Sequence, residues 1–343
     1  MDQCLLSVRA RFAAAGSGRR LRRVAAAAIL ASLQLLSLQA ALAAEPLKIA
    51  LSMTPLSLPI FVADSEGYFA AEGVAVALEQ VIGGHRSLQR LLEGGADLAT
   101  SSEAVVMFNS FRSGDYAVIA TFVTSDDDVK VIARPGSGIA AAKDLRGKRI
   151  GTITGASAHF YLDSLLLLNG VDPKAAQVRH LQPEDMAAAL AKGEVDAVSV
   201  WEPYGYKVLA AVPGAKILPK SGAYVESFNL IVHKKHRGAR DADLVKLLRA
   251  LERAEQLIAA EPAKAQAVLR SRLQLDQTFV EWIWPRFKYR LALDRSLLKT
   301  LEAEARWARQ EGQVKAERSP NYLDYIHSGP LRQVRPSAVG LVE

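Results

Sequence analysis

Short apolar runs recur along this chain, each followed by a stretch of about ten residues with helical spacing. That alternation, more than any other feature, restricts the fold. The first set of runs is Leu47–Ser52, Val74–Val81, Asp97–Thr100, Tyr116–Val123 and Val129–Arg134. The second is Arg149–Ile153, Gln177–Leu181, Asp196–Trp201, Ala215–Leu218 and Asn229–His233. The stretches between them carry helix punctuation. Pro59 opens one that reaches Phe69, and Gly94-Gly95 closes Arg86–Leu92. Ser157 caps Phe160–Leu168, which stops at Asn169-Gly170, while Pro183 begins and Gly193 ends another. Strands alternating with helices of this length imply β-α-β units and an α/β fold with largely parallel sheets.

The two sets echo each other. Gly95-Ala96-Asp97, a strand and Ser101 in the first match Gly193-Glu194-Val195-Asp196, a strand and Ser199 in the second. Glu72-Gly73-Val74 has its counterpart in Asn169-Gly170-Val171. Two lobes of similar topology are therefore expected. After His233 the pattern turns helical: Leu244, Val245, Leu247, Leu248, Leu251, Ala254, Leu257 and Ile258 form one apolar face after Asp241. Further helices are expected from Pro262, from Asp276 and from Asp294 to Gln310, covering the first lobe, with 331–343 as a loose C-terminal tail.

The formal charge of +7 would admit nucleic acid or an anionic membrane as a partner. Its location decides otherwise. Residues 1–43 hold six arginines against Asp2, or +5, which leaves +2 for the remainder. Those arginines precede an apolar stretch from Val24 to about Leu38 and the small-residue site Ala41-Leu42-Ala43-Ala44. That is the layout of a secretory signal peptide cleaved near Ala43/Ala44, and the stretch is short for a membrane span of about 20 residues. The Arg19-Arg20 pair leaves the export route open between general secretion and twin-arginine export. Cleavage would remove Cys4, the single cysteine, so a disulfide framework and a multi-cysteine zinc site are excluded. A periplasmic, disulfide-free protein with no nucleic-acid partner is expected.

Catalytic signatures are missing: the sequence has no G-x-S-x-G, no Walker A loop and no H-E-x-x-H. His233 and His236 lack a third ligand, so no metal site is expected. The informative polar residues instead follow strands, where open α/β sheets bind ligands. They are Ser52 and Thr54; Ser101, Ser102 and Glu103; Ser125 and Asp126; Gly155, Ala156, Ser157, Ala158 and His159; and Trp201 with Glu202. The start of the helix after Gly155 offers free backbone N–H groups, which suit an anion.

The ordered set Pro59-Ile-Phe61-Val-Ala63, Glu66-Gly67-Tyr68-Phe69, Gly94-Gly95-Ala96-Asp97, Asp144-Leu145-Arg146-Gly147-Lys148, Gly155-Ala-Ser157 and Trp201-Glu202-Pro203-Tyr204 resembles the periplasmic solute-binding proteins of ABC importers for nitrate, sulfonate, taurine and related solutes. The resemblance runs from about Leu47 to Gln310. It implies a type II binding-protein fold of two α/β lobes joined by two hinge strands, near Ile132–Gly136 and Ser221–Asn229. Lobe 1 would comprise 45–132 with 227–330, and lobe 2 would comprise 133–226. A solute would sit between them and pass to a membrane permease driven by an ATPase. It also implies a monomer without cofactor or catalytic residue, with Asn229 added to the ligand-binding set.

The ligand is where the residues depart from sulfonate binders. Glu103 and Asp126 would repel an anion unless turned away or paired, whereas they could accept hydrogen bonds from a thiamine-precursor pyrimidine or another nitrogen-rich solute. A periplasmic sensor is an alternative role. A pyrimidine synthase of the same fold is a third, though that enzyme type carries a cysteine-rich motif which this chain lacks.

Overall fold

The computed structural model describes residues 45–220 and 224–341. The expected export segment, Cys4 and the cleavage site lie outside the described residues. Eleven strands among the described residues form two sheets. The first contains β1 (Leu47–Ser52), β2 (Val76–Val81), β3 (Leu98–Ser102) and β4 (Tyr116–Ser125), completed by β10 (Glu226–His233) and β11 (Phe287–Ala292). The second contains β5 (Val129–Ala133), β6 (Arg149–Thr152), β7 (Gln177–His180), β8 (Ala197–Trp201) and β9 (Lys216–Ile217). Their spatial orders are β11-β4-β10-β3-β1-β2 and β7-β6-β8-β5-β9.

The ladders β1–β2, β1–β3, β6–β7 and β6–β8 are parallel. They are the ones joined by helical crossovers, as the alternating pattern implies. β10 and β5 run antiparallel to their neighbours because each returns from the opposite sheet. β5 pairs with β8 in the second sheet, so the chain first crosses between sheets at Asp126–Asp128, ahead of the hinge expected near Ile132–Gly136. It crosses back between β9 and β10.

The sequence repeat has a hydrogen-bonded counterpart. Asp97 accepts the backbone N–H of Lys48 at 3.0 Å and donates its own N–H to Lys48 O at 2.9 Å. Asp196 does the same with Arg149, at 3.0 and 2.8 Å. In each lobe an aspartate entering the third strand locks it to the first. The Arg149 guanidinium reinforces the second lock, at 3.0 and 2.8 Å.

Helices cover both sheets. α1 (Leu58–Ser65), α2 (Tyr68–Ala71), α3 (Gly84–Leu92) and α4 (Glu103–Ser110) lie in the first β-α-β run. α5 (Ser157–Leu168), α6 (Met186–Ala191) and α7 (Tyr204–Ala211) belong to the second. The C-terminal part contributes α8 (Asp241–Ala260), α9 (Pro262–Leu273), α10 (Gln277–Ile283), α11 (Arg295–Gln310) and α12 (Gly329–Val334). The eight apolar residues expected on one face of α8 are all buried, and α8 packs against α1, α2 and α12.

Two expectations need correction. The region after Asp276 is not helical throughout: α10 gives way to strand β11 on the edge of the first sheet. Residues 331–341 are no loose tail either. Leu331 is fully buried, Leu341 nearly so, and Leu293 donates its N–H to the Ala338 carbonyl at 2.8 Å and accepts the Gly340 N–H at 2.9 Å.

Candidate functional site

The C-terminal ends of β1, β3, β6 and β8 meet across the gap between the sheets. There they enclose a cavity of which about 20 Å³ is open to the centre of a water molecule, room for one or two waters. Thr54 and Leu56 follow β1; Gly84 and His85 start α3; Ser102 and Val105 belong to β3 and α4. From the other side come Ala156, Ser157 and Trp201, the crossing at Asp126–Asp128 supplies Asp128, and the start of β10 supplies Glu226 and Phe228. A Cβ on Gly84 would stand 2.8 Å from Ser101 Cα, so only glycine lets α3 approach β3 this closely.

Thr54, Ser102, Ala156, Ser157 and Trp201, named from sequence, line the cavity. Thr54 Oγ1 donates to the Glu202 carbonyl at 3.3 Å, tying the first lobe to the second. The other candidates take up different positions. The Ser52 carbonyl accepts Ser57 Oγ at 2.6 Å. Ser101 is buried with its hydroxyl unpartnered, and Ser125 Oγ accepts the Asp127 N–H at 3.1 Å. Asn229 is wholly internal: its Oδ1 accepts Thr121 Oγ1 at 2.6 Å, and its Nδ2 donates to the Ser101 and Ser227 carbonyls. The Ala158 carbonyl accepts Ser199 Oγ at 2.7 Å. Gly155 supplies a left-handed turn, with φ of 79°, ahead of α5.

Asp126 faces solvent and pairs with Lys220 at 3.4 Å. His159 stacks on Phe108 and meets the edge of Trp307, and its Nε2 lies 4.0 Å from Asp163. Burial holds its imidazole down at about 4, so it is neutral at pH 7. It faces a separate cleft with Asp163, Lys174 and Glu311.

Glu103 is turned away from the cavity. Its Oε1 accepts Tyr224 Oη at 2.5 Å, and its Oε2 accepts the Ser227 N–H at 2.7 Å and Oγ at 3.1 Å. Burial nonetheless pushes its carboxyl above the usual range. Glu304 of α11 faces Glu103; burial, and then that neighbour, raise it much further. Glu202 is also fully buried, pairing with Lys130 Nζ at 3.1 Å and accepting the Tyr206 N–H at 2.9 Å.

Sequence reasoning missed the acids that do line the cavity, Asp128 and Glu226. Both are nearly fully buried. Burial pushes Asp128 up to about 8, against the attraction of Lys130 and with smaller contributions from Glu202 and Asp127. Glu226 is raised well above its ordinary range by burial and by the opposing Asp128 and Glu103 carboxyls, while a hydrogen bond with the Ser157 side chain works the other way. Glu226 therefore stands at the start of α5, the place the sequence reserved for an anion. The run Asp126-Asp127-Asp128 was the available signal, but it reads as a solvated turn until the crossing is known to bury its third member.

Residues 54–265 match the family model described as NMT1/THI5 like. The chain is 27% identical over 206 residues to a putative aliphatic sulfonates-binding protein of Bacillus subtilis, covering 57% of this chain and 60% of that one. A segment is 33% identical over 122 residues to a 4-amino-5-hydroxymethyl-2-methylpyrimidine phosphate synthase of Uromyces fabae, covering 35% of each. The chain thus spans less than two-thirds of either relative. Among solved structures, the alkanesulfonate-binding protein SsuA of Xanthomonas axonopodis pv. citri, bound to MOPS, superposes with a TM-score of 0.74 at 20% identity, covering 83% of this chain and all of that one. At that identity the likeness shows the fold, a two-lobed type II binding-protein architecture.

Proposed function

The chain belongs to the NMT1/THI5-like family, and from that premise we propose that it is an extracytoplasmic solute-binding receptor of an ABC importer. It captures one small solute between its lobes and hands the closed form to a membrane permease. The lobes correspond to the two sheets with their helices, joined at Asp126–Asp128 and again between β9 and β10. The observation that carries this reading is the cavity itself: side chains from both sheets and from the crossing at Asp128 converge on it, so occupancy and lobe closure are coupled. Relatives named for sulfonate binding support a small polar cargo, as does the arrangement of strand ends.

No helix among the described residues is long and apolar enough to cross a membrane. Export to the periplasm after cleavage near Ala43/Ala44 is part of the same proposal. A role in binding rather than catalysis is supported by the relative named for sulfonate binding.

Titration calorimetry of the purified protein against sulfonates, nitrate, amines and aminopyrimidines tests the proposal. One class should bind with one solute per chain and without turnover. Product formation from any of them would replace the receptor with an enzyme.

A further inference from the structure

The cavity is lined by two acids, Asp128 and Glu226. Among the described residues lining it, none is lysine or arginine. The cations acting on its lining are already committed: Arg86, beside His85, donates to Gln182 and Glu184, and Lys130, beside Asp128, is held in turn. Its Nζ donates to the Asp127 carbonyl at 2.6 Å, lies 3.1 Å from Glu202 and rests over the Trp282 ring. His85 lines the cavity, but burial holds its imidazole at about 4, so it brings no charge at pH 7. Glu226 occupies the start of α5, and with it the field that would otherwise attract an external anion.

What the cavity does offer is acceptors. Apart from the hydrogen bond the two carboxyls share when one is protonated, neither oxygen of Asp128 has a partner, nor has Glu226 Oε2, although both residues are more than nine-tenths buried. Buried polar atoms left unpartnered are costly, and a ligand with several N–H donors would satisfy them. Around these acids stand Trp201, Phe228, Leu56 and Val105, an apolar wall with an aromatic face for a cation.

Resting on the receptor reading above, we propose that the solute is an organic cation with clustered N–H donors, of the amine or amidine class. Asp128 and Glu226 receive its charged end, and Trp201 and Phe228 flank its apolar body. The cavity is far smaller than such a solute, so the solute enters as the lobes part.

Linkage gives the proposal a sign. The groups facing Asp128 are Asp127 on its own segment, Lys130 on β5, Glu202 after β8, Glu226 on β10 and the Tyr289 hydroxyl on β11. Glu226 in turn faces Glu103 on α4 and Ser157 on α5. Acids outnumber the one lysine, so the Asp128–Glu226 pair holds a proton near pH 7 that a bound cation displaces. Affinity for a cation then rises with pH, by up to about tenfold per unit while one proton is released. An anion would show the opposite trend.

The experiment is calorimetry of the protein at pH 6, 7 and 8, in buffers of differing ionisation enthalpy. Benzamidine and 2,4-diaminopyrimidine are compared with ethanesulfonate and nitrate. The expected result is binding of an N–H cation that tightens with pH and releases protons, with Asp128→Asn and Glu226→Gln each weakening it at least tenfold. Should a variant fold poorly, the pH trend of the unmodified protein decides. Ethanesulfonate binding that strengthens as pH falls, or that improves in Glu226→Gln, overturns the cation assignment and leaves the receptor reading standing. If no probe binds and scattering shows no closure, both fall together.

Discussion

Lys130 sits among acids: it is 3% exposed and pairs with a fully buried Glu202. Removing one partner of such a pair strands the other charge, so Lys130→Met should lower stability by about 3–5 kcal/mol. The deficit should be larger at pH 8 than at pH 5, because Glu202 can escape by taking a proton. Denaturant titration at the two values checks both statements. The raised acids have a wider consequence. A carboxyl whose folded pKa exceeds its unfolded value, about 4, stabilises most below that unfolded value. It loses this contribution as pH climbs through the folded one. Glu103, Glu226 and Glu304 are raised and Asp128 reaches about 8, so the melting temperature should fall steadily from pH 5 to pH 9. A melting temperature flat or rising over that range would contradict these burials. At this scale the sequence was least readable. Thr54, Ser102, Ser157 and Trp201 follow strands and could be picked out by position, but Asp128 and Glu226 owe their burial to chain crossings that no local pattern encodes. Asn229 misled for the reverse reason: a polar residue at the start of an expected strand resembles a ligand contact, yet it lies inside β10 and satisfies its neighbours' backbone.

The lobes are built on a shared element, the aspartate that locks the third strand to the first. It was visible as the repeat Gly-Ala-Asp97 and Gly-Glu-Val-Asp196, because both the turn and the acid are local necessities. Asp196 accepts from Arg149 and Arg134 as well as from backbone, and hydrogen bonds from Arg149 hold its carboxyl well below the usual range. Asp196→Asn should cost about 1–3 kcal/mol. A depressed carboxyl stabilises above its unfolded pKa and loses that contribution as pH falls through the folded value. The parent should therefore lose stability below about pH 4 more steeply than the variant does, as acid unfolding monitored by circular dichroism can test. Strand β11 was hidden because Phe287–Ala292 follows a helix and pairs at a sheet edge with β4; its alternation of buried and exposed residues is short and interrupted by charges. The amphipathic face of α8 was legible because eight apolar residues at helical spacing have few other uses.

For the whole molecule, the alternation of strands and helices was enough to give two α/β lobes, while the placement of β5 required the ladder with β8. Besides Thr54–Glu202 and Glu226–Ser157, polar contacts join the lobes nearer the surface. Arg86 donates to Gln182 and to Glu184, each at 2.8 Å, Tyr206 Oη donates to Asp276 at 3.4 Å, and Lys174 lies 3.5 Å from Glu311. The Arg86 and Glu184 side chains are 33% and 39% exposed, so this pair is worth no more than about 1 kcal/mol. Arg86→Ala should therefore weaken solute binding by no more than about fivefold, a shift measurable by calorimetry. A loss of a hundredfold would mean that Arg86 touches the solute. The central claim is that the two lobes close on a small solute, and small-angle X-ray scattering tests it most directly. Titrating the protein with the solute that binds it should lower the radius of gyration, saturating at one solute per chain. An unchanged scattering profile at full occupancy would contradict it.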